Sequence, residues 1–488
     1  MFVRGLLLSV AIVALAPPAV AQAPERTDLA SRLAAAEAWL ETQLAHDNVT
    51  GASAAIVHDQ RIVWSKGFGH ANLAGRVRAT PQTRYSICSI SKLFTSMAAM
   101  RERDAGRLDI DAPVSRYLSW YNIRDVERPD GPVTARGIMS HVSGLPRESD
   151  SPYWEQGRFP DIDAIRARLG DQTGLYRAYD ASQYLNLGMT LLGEMVASTS
   201  GQDYHDYIRD NFLVPLGLTG TTSELPAAMR GKALAIGYTA RRVGWNREPV
   251  PSYTLRGVAP AAGFASTVED LGKFASWQFR LLDQGGETVL RSSTLREMQR
   301  VHWMSPDDAS ETWGLGFATY MHDGKSFVGH GGYCPGYRST LMMRPQDKVA
   351  VIVMANVDDA NTARLAREVY DFVGAELAQM TRMATASAAA EPAKPRTADF
   401  SAYEGRYGRE RSALDVYVWQ SGNDLYSASL YADTRAAKDA TRWRHISGSS
   451  FRRVREDDSL GEEFRFEAGP SGRIERVWWH SNPLARMR

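Results

Sequence analysis

Ser89-Ile90-Ser91-Lys92 places a hydroxyl and an amine three residues apart at the start of an apolar stretch through Leu93, Phe94, Met97 and Met100. On a helix that spacing puts both side chains on one face, where they can share a proton. A serine whose proton is drawn off by a neighbouring base is a nucleophile for acyl transfer. A helix N-terminus adds unpaired backbone N–H groups that can hold an oxyanion and disfavour a charged amine, drawing Lys92 toward the pKa of a working base. An S-x-x-K string alone carries little weight in a chain of 488 residues, so the partners decide its meaning. Two further motifs supply them: Tyr184-Leu185-Asn186, about a hundred residues on, and His330-Gly331-Gly332-Tyr333 late in the chain.

These groups need a scaffold. Leu29, Leu33, Ala36, Leu40 and Leu44 follow helical spacing behind Asp28, and Ala54–Val57 and Ile62–Trp64 flank the turn His58-Asp59-Gln60 as a hairpin. The middle of the chain, from about Asp109 to Leu290, reads as helical and loop-rich. Gly263–Asp270 reads there as a turn feeding a capped helix. Strand patterns return at Trp313–Tyr320, Ser326–His330, Ser339–Met343 and Val349–Ala355, followed by a helix with Leu365, Val369, Phe372 and Leu377. This order predicts an α/β (α+β) fold, with an antiparallel sheet flanked by helices and a mostly helical subdomain. Residues 381–395 are Ala-rich with Pro392 and Pro395 and read as a linker. Alternation at Leu414, Val416 and Val418, at Phe464 and Phe466, and from Ile474 to Trp479 predicts a small all-β, barrel-like domain over 396–488.

Residues 1–21 carry Arg4, an apolar core from Leu6 to Ala16 and an Ala19-Val20-Ala21 site before Gln22, the pattern of a cleaved secretory signal peptide. A bacterial periplasmic or secreted protein is expected. No later run approaches about 18 uninterrupted apolar residues, so no transmembrane segment is expected. Lys plus Arg total 57 against 56 Asp plus Glu, a balance that gives no basis for nucleic acid as a partner. The histidines and cysteines show no zinc spacing such as H-E-x-x-H. Gly324-Lys325-Ser326 lacks the upstream glycine of a phosphate-binding loop. Neither a metal nor a cofactor is implied.

S-x-x-K, then Y-x-N, then H-x-G on a late strand resembles the penicillin-recognising serine hydrolases, most closely their class C β-lactamase-like branch. That branch also holds D-aminopeptidases, D-alanyl-D-alanine carboxypeptidases and family VIII carboxylesterases. His141-Val142-Ser143-Gly144-Leu145-Pro146 and Trp313-Gly314-Leu315-Gly316-Phe317 look like further family segments with structural roles. The resemblance covers roughly Leu29 to Leu377. It implies a serine hydrolase domain over 22–380, followed by the linker and a lipocalin-like C-terminal domain.

Carried over, the resemblance implies Ser89 as acylated nucleophile, Lys92 as its proton partner and Tyr184 as a second acid–base group near the leaving group. A tyrosinate beside a lysine ammonium is more accessible than its ordinary pKa of about 10 indicates. Which of Lys92 and Tyr184 is the base stays open in the sequence. Asn186 would bind the substrate amide and Lys92, and His330, Gly331 and Gly332 would line the substrate, with Gly332 leaving room for an acyl chain. Backbone N–H groups of Ser89 and Tyr333 would form the oxyanion hole.

His330 stands where many relatives carry lysine, which removes a permanent cation for a substrate carboxylate; Arg338 could replace it. Leu185 and Tyr333 point to a more apolar or narrower cleft, and no glutamate can be assigned as a deacylating base. The chain's two cysteines, Cys88 beside the nucleophile and Cys334 beyond Gly332, would become neighbours if Ser89 faces the H-G-G strand. Their placement resembles the bridge of class A carbapenemases and implies a disulfide, with two buried thiols as the alternative. The expected activity is cleavage of an amide in a small-molecule or peptide substrate. The alternatives are a carboxylesterase, a weak β-lactamase or a non-catalytic ligand-binding protein. Oligomeric state is not legible.

Overall fold

Val349–Ala355 is buried at every residue, as a strand must be when both faces of its sheet are covered. In the computed structural model, Ile352 and Met354 face one core while Val351, Val353 and Ala355 face the other, the alternation that a period of two imposes. The structure describes residues 29–124, 131–150, 153–306, 312–389, 399–409, 412–430, 440–455 and 459–487. The expected signal peptide, 1–21, lies outside them. The chain forms two units, Met1–Thr385 and Ala386–Arg488.

The first unit is built on a nine-stranded antiparallel sheet. Its strands run Val77–Arg78, Arg61–Asn72, Gly51–His58, Val349–Ala355, Tyr337–Arg344, Lys325–Cys334, Ala318–His322, Thr312–Trp313 and Trp303–Met304. N-terminal and C-terminal strands meet at its centre, where Ala55 pairs with Ile352. Helices Leu29–His46 and Thr362–Ala389 cover one face, with Leu40, Leu44, Leu365, Val369 and Leu377 in its core. The other face packs on the larger helical core, which holds Leu93, Phe94, Met97, Leu191, Phe264 and Phe274. The expected capped helix is Val268–Gln284, whose cap Thr267 accepts the Asp270 N–H. The continuous strand expected over Trp313–Tyr320 is instead two, Thr312–Trp313 and Ala318–His322. Gly316, at φ +82°, lies in the break between them.

The expected linker start at 381 is displaced, because the last helix of the first unit continues to Ala389. An Ala-rich run lacks apolar periodicity yet has the highest helix propensity of any composition. Pro392 and Pro395 lie outside the described residues. The second unit is a closed eight-stranded barrel from Gly405–Arg409 to Asn482–Arg486, sealed by Tyr407 pairing with Arg486. Val416, Val418, Trp443, Phe451, Phe464 and Phe466 fill it. No helix among the described residues is long and apolar enough to cross a membrane.

Candidate active site

Ser89 lies in a 3₁₀ turn, Cys88–Ile90, one step ahead of the α-helix Ser91–Asp104, and not on the α-helix itself as its apolar pattern predicts. Cys88 has φ +51°, a left-handed conformation that costs a non-glycine residue about 1–3 kcal/mol and persists only where the surroundings impose it. The surroundings do so here. Ser91 Oγ donates to the Cys88 carbonyl at 2.5 Å and accepts the Phe264 N–H at 3.0 Å. The Cys88 side chain is bonded to Cys334, so the disulfide inferred from the resemblance is present and staples the Ser89 turn to the strand Lys325–Cys334.

Lys92 is fully buried. Its Nζ is 2.8 Å from Asn186 Oδ1, 3.0 Å from the Ala261 carbonyl and 3.2 Å from Ser89 Oγ. Burial, the largest influence, draws its pKa down to about 7; the Glu148 charge pulls it up and the Arg147 charge pulls it down again. At that value a large fraction of Lys92 is neutral near pH 7, and the geometry then fixes where its lone pair points. The two carbonyl oxygens have no hydrogen to give, so they take the two N–H bonds of the neutral amine. The lone pair is left for the hydrogen of Ser89. The arrangement can therefore withdraw a proton from Ser89, and as an ammonium it can return one.

Asn186 is held from both sides. Besides accepting from Lys92, its Nδ2 donates to Glu148 Oε1 at 2.5 Å. Glu148 takes one of the two Nδ2 hydrogens, and the second is left for the expected donation to a substrate amide. Leu185, expected in the cleft wall, is wholly buried and packs in the main core, since alternate residues of this turn face opposite ways.

Tyr184 lies over the pair, its ring centroid 4.6 Å from Lys92 Nζ and 5.3 Å from the Arg147 guanidinium carbon. Burial raises its phenol well above the usual range, opposed by interactions with Ser89 and Arg147. Desolvation outweighs the attraction expected from the Lys92 ammonium, so the buried site favours the neutral phenol over an accessible tyrosinate. His330, 5% exposed, approaches the Gly331 carbonyl through Nδ1 at 2.5 Å. That contact requires the hydrogen on Nδ1 and leaves Nε2 as an acceptor. Burial first, then the Lys92 charge, lower its pKa to about 3, so it is neutral and cannot stand in for a cationic lysine. It packs in an aromatic cluster with Tyr184, Trp313 and His141. His141 itself accepts the Leu185 N–H, in keeping with a structural role.

Gly331 is exposed and Gly332 half-buried. A side chain on Gly332 would meet the Ile87 carbonyl and Ser339 Oγ, each at 2.2 Å, whereas one on Gly331 would meet only the Ser339 carbonyl at 3.8 Å. Gly332 is thus required for close packing of the nucleophile turn on the strand, not to clear space for an acyl chain. Tyr333 is 57% exposed and carries the Arg338 guanidinium 3.6 Å above its ring; Arg338 Nε donates to the Asp358 carbonyl. Ser89, Tyr184, Asn186, His330, Gly331, Gly332, Tyr333 and Arg338 all line one cleft of about 1030 Å³. Arg147 and Glu148 line it too, and sequence reasoning missed both. The only signal was their place directly after the His141–Pro146 turn. No cluster of metal-ligating side chains occurs among the described residues.

This architecture has known counterparts. The octameric penicillin-binding protein homologue from Pyrococcus abyssi superposes with a TM-score of 0.61 at 22% identity, covering 93% of this chain and 100% of that one. EstCE1, described as a hydrolase with promiscuous acyltransferase activity, gives 0.59 at 19% identity over 70% and 98%. In sequence, Protein flp of Staphylococcus aureus (strain MW2) is 24% identical over 336 residues, 67% of this chain and 64% of that protein. The chain thus spans just under two thirds of that relative's length. The model of the family described as Beta-lactamase matches residues 36–376, a stretch that contains every cleft residue named above, and the chain belongs to that family.

Proposed function

We propose that the protein is a serine hydrolase that cleaves an amide bond of a small peptide or D-amino-acid-containing substrate through an acyl-enzyme on Ser89. The observation that carries this reading is the three-way coordination of Lys92 Nζ by Asn186 Oδ1, the Ala261 carbonyl and Ser89 Oγ. Ser89 Oγ bonds to the substrate carbonyl carbon as its proton passes to Lys92, which assigns the base role to Lys92. The backbone N–H groups of Ser89 and Tyr333 are assigned to hold the oxygen that becomes negative. Tyr184, protonated because it is buried, gives its proton to the leaving nitrogen as the C–N bond breaks and is reprotonated from Lys92. Water then repeats the cycle, returning Ser89 and releasing the acid.

Substrate placement follows from the walls. Gly331 lies past Gly329, where the pairing of its strand with Ala318–His322 ends, and that open side suits the extended substrate backbone, with neutral His330 and Asn186 behind it. Arg338 supplies the cation that His330 does not, and a guanidinium suits a carboxylate on the leaving side. The disulfide and the expected signal peptide support a periplasmic or secreted site of action. A second reading, ester hydrolysis, is favoured by the neutral state of His330, since an ester needs no strand cation. Matched aminoacyl p-nitroanilides and p-nitrophenyl esters, with and without a free carboxylate, separate the two. Amidase action predicts turnover of the anilides that disappears in Ser89→Ala; ester turnover with inert anilides assigns an esterase.

A further inference from the structure

Glu148 has no assigned part in the chemistry, yet it is the most heavily engaged carboxylate of the cleft. It accepts Asn186 Nδ2 at 2.5 Å and the buried Tyr153 hydroxyl, and Arg147 Nε lies 3.3 Å away. The loop that carries it is fixed to the same turn through the backbone, because the Arg147 carbonyl accepts the N–H of both Asn186 and Leu187 at 2.9 Å. Glu148 is therefore held against Asn186 by side chain and main chain together.

We infer that Glu148 is a positioning residue that locks the Asn186 amide with Oδ1 toward Lys92 and thereby aims the Lys92 lone pair at Ser89. The reason is donor and acceptor arithmetic. An ionised carboxylate only accepts, so the Asn186 group facing Glu148 must be Nδ2, and Oδ1 is left for Lys92. With the amide turned over, Nδ2 would present hydrogens to Lys92, the neutral amine would spend its lone pair there, and Ser89 would lose its base. This inference rests on the proposed role of Lys92. A second consequence is electrostatic: Glu148 is the anion acting on Lys92, alongside the cation Arg147, the phenol of Tyr184, and His141 and His330. Removing its charge leaves the ammonium form less supported, so Lys92 should lose its proton at lower pH.

Two variants separate the effects. Glu148→Gln can still accept from Asn186 but has no charge; Glu148→Ala removes both. The rate of fluorophosphonate labelling at Ser89, followed from pH 5 to 9.5, should show its acid limb moved down by about half to one unit in both variants. The high-pH plateau should fall about tenfold or more in Glu148→Ala and less in Glu148→Gln, with melting temperatures close to wild type. A Glu148→Ala plateau within twofold of wild type overturns the inference. Direct titration of Lys92 by nitrogen NMR in wild type and Glu148→Gln reads the coupling without turnover. A lower Lys92 pKa in the variant supports it, and no shift overturns it. Absence of labelling in wild type, with the Lys92 shift present, would instead remove the serine hydrolase reading and leave the coupling standing.

Discussion

Cys88 and Cys334, 246 residues apart in the chain, are bonded to one another directly beside Ser89. The bond joins the turn that presents the nucleophile to the strand that carries Gly331, Gly332 and Tyr333, so two walls of the cleft share one covalent tie. Closing so long a loop restricts the unfolded chain by about 5 kcal/mol in the chain-entropy model, with realised gains often smaller.

The tie has a direct chemical test. Denatured, unreduced protein should titrate no free thiol, and reduction should release two; two thiols before reduction contradicts the bridge. Replacing both cysteines with alanine should lower the melting temperature by several degrees and slow labelling of Ser89, since the left-handed Cys88 turn loses an anchor.

Proton inventory at Lys92 predicts the pH profile. Its pKa is lowered to about 7 by burial, and the base is the deprotonated form. The rate of Ser89 acylation should therefore be small at pH 5.5, rise through an acid limb near pH 7 and level off above. Lys92→Arg, with a group that stays protonated throughout, should remove the limb and at least about a hundredfold of kcat/KM, within the span general bases supply. A limb near pH 4 would point to a carboxylate instead.

Tyr184→Phe separates proton donation from nucleophilic attack. An amine must be protonated as it leaves, whereas an activated phenolate need not be, so the variant should lose about a hundredfold or more on amides and much less on p-nitrophenyl esters. Equal losses on both would assign Tyr184 to the attack step.

Gly332→Ala tests the packing role of that glycine. Its added carbon would lie 2.2 Å from the Ile87 carbonyl, inside the backbone that leads into Ser89. The variant should label slowly at every pH. Gly331→Ala, with open space around it, should label at close to the wild-type rate and alter KM alone. Equal behaviour of the two would contradict the packing assignment.

Most of the frame was legible because it rests on period and short spacing. Strand Val349–Ala355 follows from an unbroken apolar run and the helix beginning at Thr362 from i, i+4 repeats; Ser89, Tyr184 and Asn186 line one cleft, with Lys92 buried behind it against Ser89 and Asn186. What stayed hidden depends on burial or long-range contact. Glu148 meets Asn186 across 38 residues, and no local pattern encodes that meeting. Protonation also escaped: the raised phenol of Tyr184 and the neutral imidazole of His330 come from desolvation, a property of the folded interior. At the Gly331-Gly332 pair the sequence showed two glycines, but only the backbone geometry reveals which one the fold requires.

Ser89 is the centre of the account, and intact mass after exposure to a fluorophosphonate tests it most directly. Wild-type protein at pH 8 should gain one phosphonyl adduct, mapped to Ser89 by peptide analysis, while Ser89→Ala gains none. No adduct on folded wild type, or equal adducts on both proteins, would contradict an activated serine and with it the proposed acyl-enzyme.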